Sequence, residues 1–338
     1  MKKLRIVLLW IVGIIVGLAL AIFIAFKVSV KPGVYIISKM FDQPVVILDE
    51  ARYQDAASKV EVLKDVPYDS TFNDNIFDLY YPKNQEGPLP VLIWVHGGGY
   101  VSGNKEGIAE FATYIAADNE IAIVAMNYEK APQLQYPGQV KQVEELVQFL
   151  RAHKDTYPMI DLSTILFGGD SAGAQIAAQY VAIQTNTAYA RELDMKQTIG
   201  ENSIHGFISY SGPIDIQQMT TVKSDDRFMK FFVNTVARAL IGTRDWKESM
   251  EIKQASVKEY ITEDFPPTYI TDGNAFSFQE QGMAFEEKLK SLNIPVQSLF
   301  FNEAEKEIVH EYQFNYELEE AKESLQQTID FIDEQVGI

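Results

Sequence analysis

The chain predicts an α/β architecture: a mostly parallel sheet with helices on both faces, a helical insertion, and one apolar helix ahead of it all. Three observations carry that expectation. From residue 77 onward, apolar runs of strand length alternate with helical patterns, the mark of strand–helix–strand units. Two of those runs, VLIWV (Val91–Val95) and IAIVAM (Ile121–Met126), are apolar at every position, as in strands buried on both faces. Ile6–Phe26 holds 21 residues without a charge, enough to cross a hydrocarbon core of ~30 Å at about 1.5 Å per residue.

That first segment reads as an uncleaved, single-pass anchor occupying residues 1–30. A cleavable leader has a shorter apolar stretch and a small-residue cleavage site, and Ile24-Ala25-Phe26-Lys27 offers none. Lys2, Lys3 and Arg5 precede the run and Lys27 and Lys31 follow it, so the positive-inside bias is small. The short N-terminal arm favours an N-in topology, with residues 31–338 outside the cell membrane.

The strands expected next are Phe77–Tyr81, Pro90–Val95, Ile121–Asn127, Thr164–Phe167, Gly206–Ser209, Thr268–Thr271 and Val296–Phe301. The helices are Glu106–Ala117, Gln139–His153, Ala172–Gln184, Ser277–Leu292 and Phe314–Glu334. Asp215 to Asp264 breaks the rhythm: it has no strand but carries amphipathic material such as Phe228, Phe232, Val236 and Leu240. It is expected to be a helical insertion over the strand ends, where open α/β sheets place their ligands.

Composition narrows the function. In 338 residues, 47% are hydrophobic and 22% charged, so the chain can build a large core. Lys and Arg number 29 against 47 Asp and Glu, a net charge of −18. That balance excludes nucleic acid as a partner and weighs against electrostatic docking on anionic lipid. With no cysteine, disulfides, thiolate metal sites and a Cys nucleophile are excluded.

The sharpest motif is Gly169-Asp170-Ser171-Ala172-Gly173. It fits the G-x-S-x-G elbow, a tight strand-to-helix turn that exposes a serine on strained backbone. The run Thr164–Phe167 before it and Ala174–Ala178 after it supply the required strand and helix. The second motif, His96-Gly97-Gly98-Gly99-Tyr100, follows VLIWV directly. Consecutive glycines let backbone N–H groups point into a site as an oxyanion hole. A phosphate-binding loop does not fit, since no Lys-Ser/Thr follows at the needed spacing.

With HGGGY, then Asn127-Tyr128 and Ala131-Pro132, Tyr136-Pro137, and GDSAG, the chain resembles the α/β-hydrolase fold and, within it, the hormone-sensitive-lipase-like esterases, over about residues 60–338. The resemblance implies that Ser171 is the nucleophile, that the N–H groups of Gly98, Gly99 and Ala172 form the oxyanion hole, and that His96 fixes the glycine loop. It also implies that 215–264, with residues after the anchor, forms a cap over the acyl pocket.

The general base follows the acid in this fold's chain order. Of four histidines, His96 belongs to the glycine loop, His153 sits among charges at a helix end, and His205 precedes any plausible acid. His310, after the last strand, is the base. The acid stays open between two residues. Family members carry it in a segment that aligns here to Thr271–Gly282, where Phe276 stands at the acid position. Asp272, ending the strand Thr268–Thr271, is the preferred acid, although Asp-Gly is also a common turn. Glu280 is the alternative, although Ser277-Phe278-Gln279-Glu280 also reads as a capping box.

The expected activity is therefore a serine carboxylesterase or lipase-like hydrolase, needing no cofactor or metal, acting on a small-molecule or lipid-like ester. A peptidase of the same fold is a second reading. A catalytically weak, membrane-tethered binding protein is a third, motivated by Phe276 at the acid position.

Overall fold

A computed structural model of the chain describes every residue except Met1, Gln43, Val45, Glu201, residues 222–225 and Ile338. In chain order the elements are α1 (Lys2–Val28), α2 (Lys31–Phe41), α3 (Glu50–Lys59), β1 (Val60–Pro67), β2 (Ile76–Pro82), β3 (Leu89–Val95), α4 (Ala109–Asp118), β4 (Ala122–Met126), α5 (Gly138–Ala152), β5 (Ile160–Asp170), α6 (Ala172–Thr185), α7 (Thr187–Glu192), β6 (Ile204–Tyr210), α8 (Arg227–Ile241), α9 (Met250–Gln254), β7 (Thr268–Asp272), α10 (Gln279–Ser291), β8 (Val296–Phe300) and α11 (Glu319–Val336).

The strands form one eight-stranded sheet in the order β1-β2-β4-β3-β5-β6-β7-β8. From β4 to β8 every neighbour is parallel; β1 and β2 pair antiparallel at one edge. Period-two alternation divides the central strands between two cores. Val91, Ile93 and Val95 of β3 point with Phe167 and Phe207 toward α5, α6 and α10. Leu92 and Trp94 point with Leu166 and Ile208 toward α4 and α11. Each such side chain, fully buried, contributes roughly 1.5–3 kcal/mol, which is why VLIWV tolerates no polar residue.

Several boundaries differ from expectation. The last helix starts at Glu319 rather than Phe314, because Tyr312–Phe314 forms a separate 3-10 turn. The helix expected from Ser277 starts at Gln279. β1 was not anticipated: it is an edge strand with charges at Glu61, Lys64 and Asp65 and a bulge between Leu63 and Val66, features that suppress the strand pattern and protect a free edge. Helices α2, α3 and α7 were likewise not anticipated.

Among the described residues of 215–264 there is no strand. They contribute α8, α9 and short 3-10 turns, and α2 lies against α8: an added Cβ at Gly33 would meet Thr235 Cγ2 at 2.8 Å. α1 ends against the same helix, with the Phe26 and Phe231 ring centroids 6.5 Å apart and Arg244 donating to the Lys27 carbonyl.

Candidate active site

The parallel strands end together, and the loops beyond β3, β5, β7 and β8 converge there. β5 passes directly into α6 through Ser171, whose backbone sits at φ 47° and ψ −119°, a costly conformation for a residue with a side chain. The turn can be this tight because Gly173 has no side chain: a Cβ there would lie 2.0 Å from the Val95 carbonyl oxygen. Ser171 N–H donates to the Tyr210 carbonyl at 2.8 Å, which leaves the hydroxyl facing the loop after β8.

His310 comes from that loop. Its Nε2 stands 2.9 Å from Ser171 Oγ. Residues 273–275 pair with 308–310 to hold it: Ala275 N–H donates to the Ile308 carbonyl at 3.0 Å and His310 N–H to the Ala275 carbonyl at 3.1 Å. The Phe278 ring stands edge-on to the imidazole at 5.3 Å.

The same pairing brings Asp272 behind the histidine. Asp272 Oδ1 is 3.6 Å from His310 Nδ1, longer than a formed hydrogen bond. The carboxylate is buried and accepts N–H groups of Gly273 at 2.8 Å and Phe278 at 2.7 Å. Glu280 is exposed and makes no contact with His310 among the described residues. The expected capping box is absent: Ser277 Oγ accepts Gln279 N–H at 3.4 Å instead, because the helix begins at Gln279 with Phe278 rather than Ser277 as its cap. Phe276 is 71% exposed with φ 51°, at the rim of the site.

Gly98 and Gly99 turn the loop after β3 toward Ser171. Gly98 has φ 106°, and a Cβ there would lie 2.2 Å from the Ser102 carbonyl oxygen. The N–H groups of Gly98, Gly99 and Ala172 donate to no protein acceptor among the described residues. His96 braces this loop from behind: its Nδ1 meets the Gly97 carbonyl at 2.6 Å and its ring stacks on Tyr128 at 4.4 Å. Since a carbonyl only accepts, Nδ1 carries the proton. Burial, helped by Lys130, pulls the His96 pKa down to about 3, so the ring is neutral. Asp170 points away from the site, accepting Trp94 Nε1–H and Gly97 N–H, both at 2.7 Å.

Glu311 had no signal in the sequence beyond its place next to His310. It sits at φ 59° with its N–H on Ser211 Oγ at 3.2 Å. An added Cβ at Gly97 would meet Asp170 Oδ2 at 2.4 Å and Glu311 Oε1 at 2.7 Å, so the two carboxyl groups approach within about 5 Å. Burial and the Glu311 charge push the Asp170 pKa up. Around His310, burial pulls the imidazole pKa down, but Asp272, Glu311 and Asp170 outweigh it and the net direction is up.

A cavity of about 390 Å³ opens from Ser171 and the glycine loop into the region under α8. Its wall is apolar, from Phe228, Phe232, Val236 and Leu240 of α8, with Trp246 and with Phe41 from α2. Buried glutamines tie the elbow helix to this cover: Gln175 Nε2 donates to the Ala255 carbonyl at 2.9 Å, and its Oε1 accepts from the Tyr100 hydroxyl at 3.0 Å. Among the described residues no cluster of three or more His, Asp or Glu could hold a metal ion.

Comparison with known proteins gives the family and the fold. The BD-FAE family model matches residues 77–289. An esterase of Gibberella moniliformis is 23% identical over 211 residues, covering 61% of this chain and 63% of the relative. An acetyl esterase of Salmonella schwarzengrund is 26% identical over 128 residues, 38% of this chain and 39% of its own. The chain thus spans less than two thirds of the length of these curated relatives. Among solved structures, inhibited esterase B from Lactobacillus rhamnosis superposes with a TM-score of 0.70 at 17% identity, covering 90% of this chain and 97% of that one. That likeness establishes the α/β-hydrolase fold.

Proposed function

Because the chain belongs to the BD-FAE family, we propose that it is a carboxylic ester hydrolase that works through an acyl-enzyme on Ser171. The observation that carries the reading is the 2.9 Å contact between Ser171 Oγ and His310 Nε2 at the mouth of an apolar cavity. Ser171 Oγ attacks the ester carbonyl while His310 Nε2 takes the hydroxyl proton. The carbonyl oxygen gains the negative charge, and the N–H groups of Gly98, Gly99 and Ala172 are free to bind it. Collapse breaks the ester C–O bond, and His310 returns the proton to the leaving alcohol. Water activated by His310 then hydrolyses the acyl-enzyme.

Asp272 is the acid in this scheme, stabilising the imidazolium that forms at each attack. Its support is its burial and its approach to Nδ1. The contact is long in the free enzyme, as such contacts often are before substrate binds. A carboxylate at this place weakens the binding-protein reading, whose motive was Phe276. The apolar cavity favours an acyl chain over a peptide.

We read α1 as the membrane anchor and α2 with residues 215–264 as the cap. α1 is long and apolar enough to cross a membrane, with a mean hydropathy of 3.1, and its C-terminal end packs on α8.

The test is chemical. A fluorophosphonate probe labels wild-type protein and fails to label Ser171→Ala, and the variant loses ester turnover by several orders of magnitude while its melting temperature stays close to wild type. Residual activity above about a tenth would overturn the assignment. A series of p-nitrophenyl esters of rising acyl length then sets the chain-length preference.

A further inference from the structure

The helix that roofs the acyl cavity has two unlike faces. Phe228, Met229, Phe232, Val233, Val236 and Leu240 look into the cavity. At 100° per residue, Arg227, Lys230, Phe231, Asn234 and Arg238 fall on the opposite side of α8. Arg227, Lys230 and Asn234 are exposed. This outer face meets the end of α1: Phe231 packs on Phe26, and Asn234 and Arg238 line a shallow hollow with Phe23, Phe26, Lys27 and Arg244.

Charge makes this patch unusual. The chain carries −18 overall, yet Lys27, Arg238 and Arg244 line one hollow at the end of α1, and Arg227 and Lys230 are exposed on the same outer face of α8. Among the described residues none of them has a carboxylate within ion-pair distance. Unpaired cations beside the end of a membrane-length apolar helix match the phosphate layer of a leaflet, where basic residues are attracted to anionic lipid.

Chain continuity fixes the distance. Only Ser29 and Val30 separate α1 from α2, and α2, with 11 residues, is about 16 Å long. Its last residue, Phe41, already lines the cavity. The cavity therefore cannot stand far from the leaflet that α1 leaves. Phe41, Phe228 and Phe276 line it while remaining exposed, an aromatic rim where a soluble-substrate site would expose polar groups.

We propose that α8 lies on the headgroup layer of the leaflet at the C-terminal end of α1, with Arg227, Lys230 and Arg238 toward the lipid phosphates, and that the Ser171 site deacylates esters resident in that leaflet. The substrate claim rests on the esterase reading; the placement of α8 rests only on α1 as a span.

The absence of cysteine allows a clean test. Full-length Lys230→Cys and Lys154→Cys are each labelled with one fluorophore and reconstituted into vesicles of equal parts phosphatidylcholine and phosphatidylglycerol, with a headgroup spin-labelled lipid as quencher. Lys154 follows the C-terminal end of α5 and precedes β5, which places it at the N-terminal end of the strands, opposite the site. Strong quenching at position 230 and little at 154 is expected. Equal quenching at the two positions overturns the placement of α8, whereas failure of the protein to float with the vesicles overturns the anchor beneath it.

Turnover supplies the second arm. Arg227→Glu with Lys230→Glu should lower hydrolysis of a vesicle-embedded fluorescent diacylglycerol by about tenfold and leave p-nitrophenyl acetate unchanged. Equal loss on both substrates, or on neither, overturns the proposal. Wild-type protein inert toward p-nitrophenyl acetate marks instead the failure of the esterase reading, together with the substrate claim built on it, and the quenching result still decides where α8 lies.

Discussion

Asp272 and Glu311 stand on either side of His310 with different consequences. Asp272 faces Nδ1, and in the proposed mechanism it favours the tautomer in which Nε2 is free to take the serine proton. An amide at this position can donate where acceptance is needed. Asp272→Asn is therefore expected to lower kcat by ~10³–10⁴-fold with KM nearly unchanged, as read by steady-state kinetics on a soluble ester. Glu280→Gln, exposed and unconnected to His310, should leave kcat within about twofold. Reversal of that order would move the acid to the start of α10. Glu311 contributes charge alone. Its carboxylate and that of Asp272 raise the His310 pKa above the ordinary 6.5, and His310 must be neutral to act as a base. The acid limb of the kcat/KM profile should then lie above pH 6.5. Glu311→Gln removes one source of that shift, so the limb should move to lower pH and activity persist in more acidic buffer. An unmoved limb would show that His310 does not sense Glu311.

Local motifs made Ser171 and the glycine loop legible in the sequence, because a five-residue turn carries its own geometry, and His310 was reached by chain order among four histidines. The acid was not legible to the same degree. Its choice depends on the pairing of residues 273–275 with 308–310, a tertiary contact with no periodic signature. Elements show a similar split. Strands buried on both faces announce themselves, whereas β1 is an edge strand broken by a bulge, and α2 makes sense only against α8. That dependence is testable. At Gly33 a side chain would meet Thr235 at 2.8 Å and Phe231 at 3.4 Å, and Thr235 is β-branched and cannot swing aside. Gly33→Leu should lift α2 from α8 and withdraw Phe41 from the cavity. KM for long acyl esters should rise several-fold while kcat/KM for an acetyl ester stays near wild type. The sheet should unfold at a temperature only slightly lowered, since α2 adds just Ile37 and the half-buried Val34 to the core. A large drop in thermal midpoint would show instead that α2 is part of the core.

Across the whole molecule, net charge is a poor guide to local field. The excess of acids argues against an anionic partner, yet Lys27, Arg238 and Arg244 line one hollow at the end of α1. The architecture suggests why. α1 and α2 are not appended to a finished domain: α2 supplies part of the cavity wall, and Arg244 and Phe231 of the cap hold the last turn of α1. Removal of α1 by a signal peptidase would expose the surfaces of α8 that now pack on Phe26. An anchor that stays attached keeps the cavity at a fixed height over the bilayer; a cleaved leader leaves that height undefined. The expected outcome is that native protein fractionates with membranes, resists a high-salt wash that strips electrostatically bound proteins, and is released only by detergent. Its N-terminal sequence should begin at Met1 or Lys2. A mature chain beginning near residue 27, recovered in the soluble fraction, would refute the anchor and with it any fixed placement of the cavity above the bilayer.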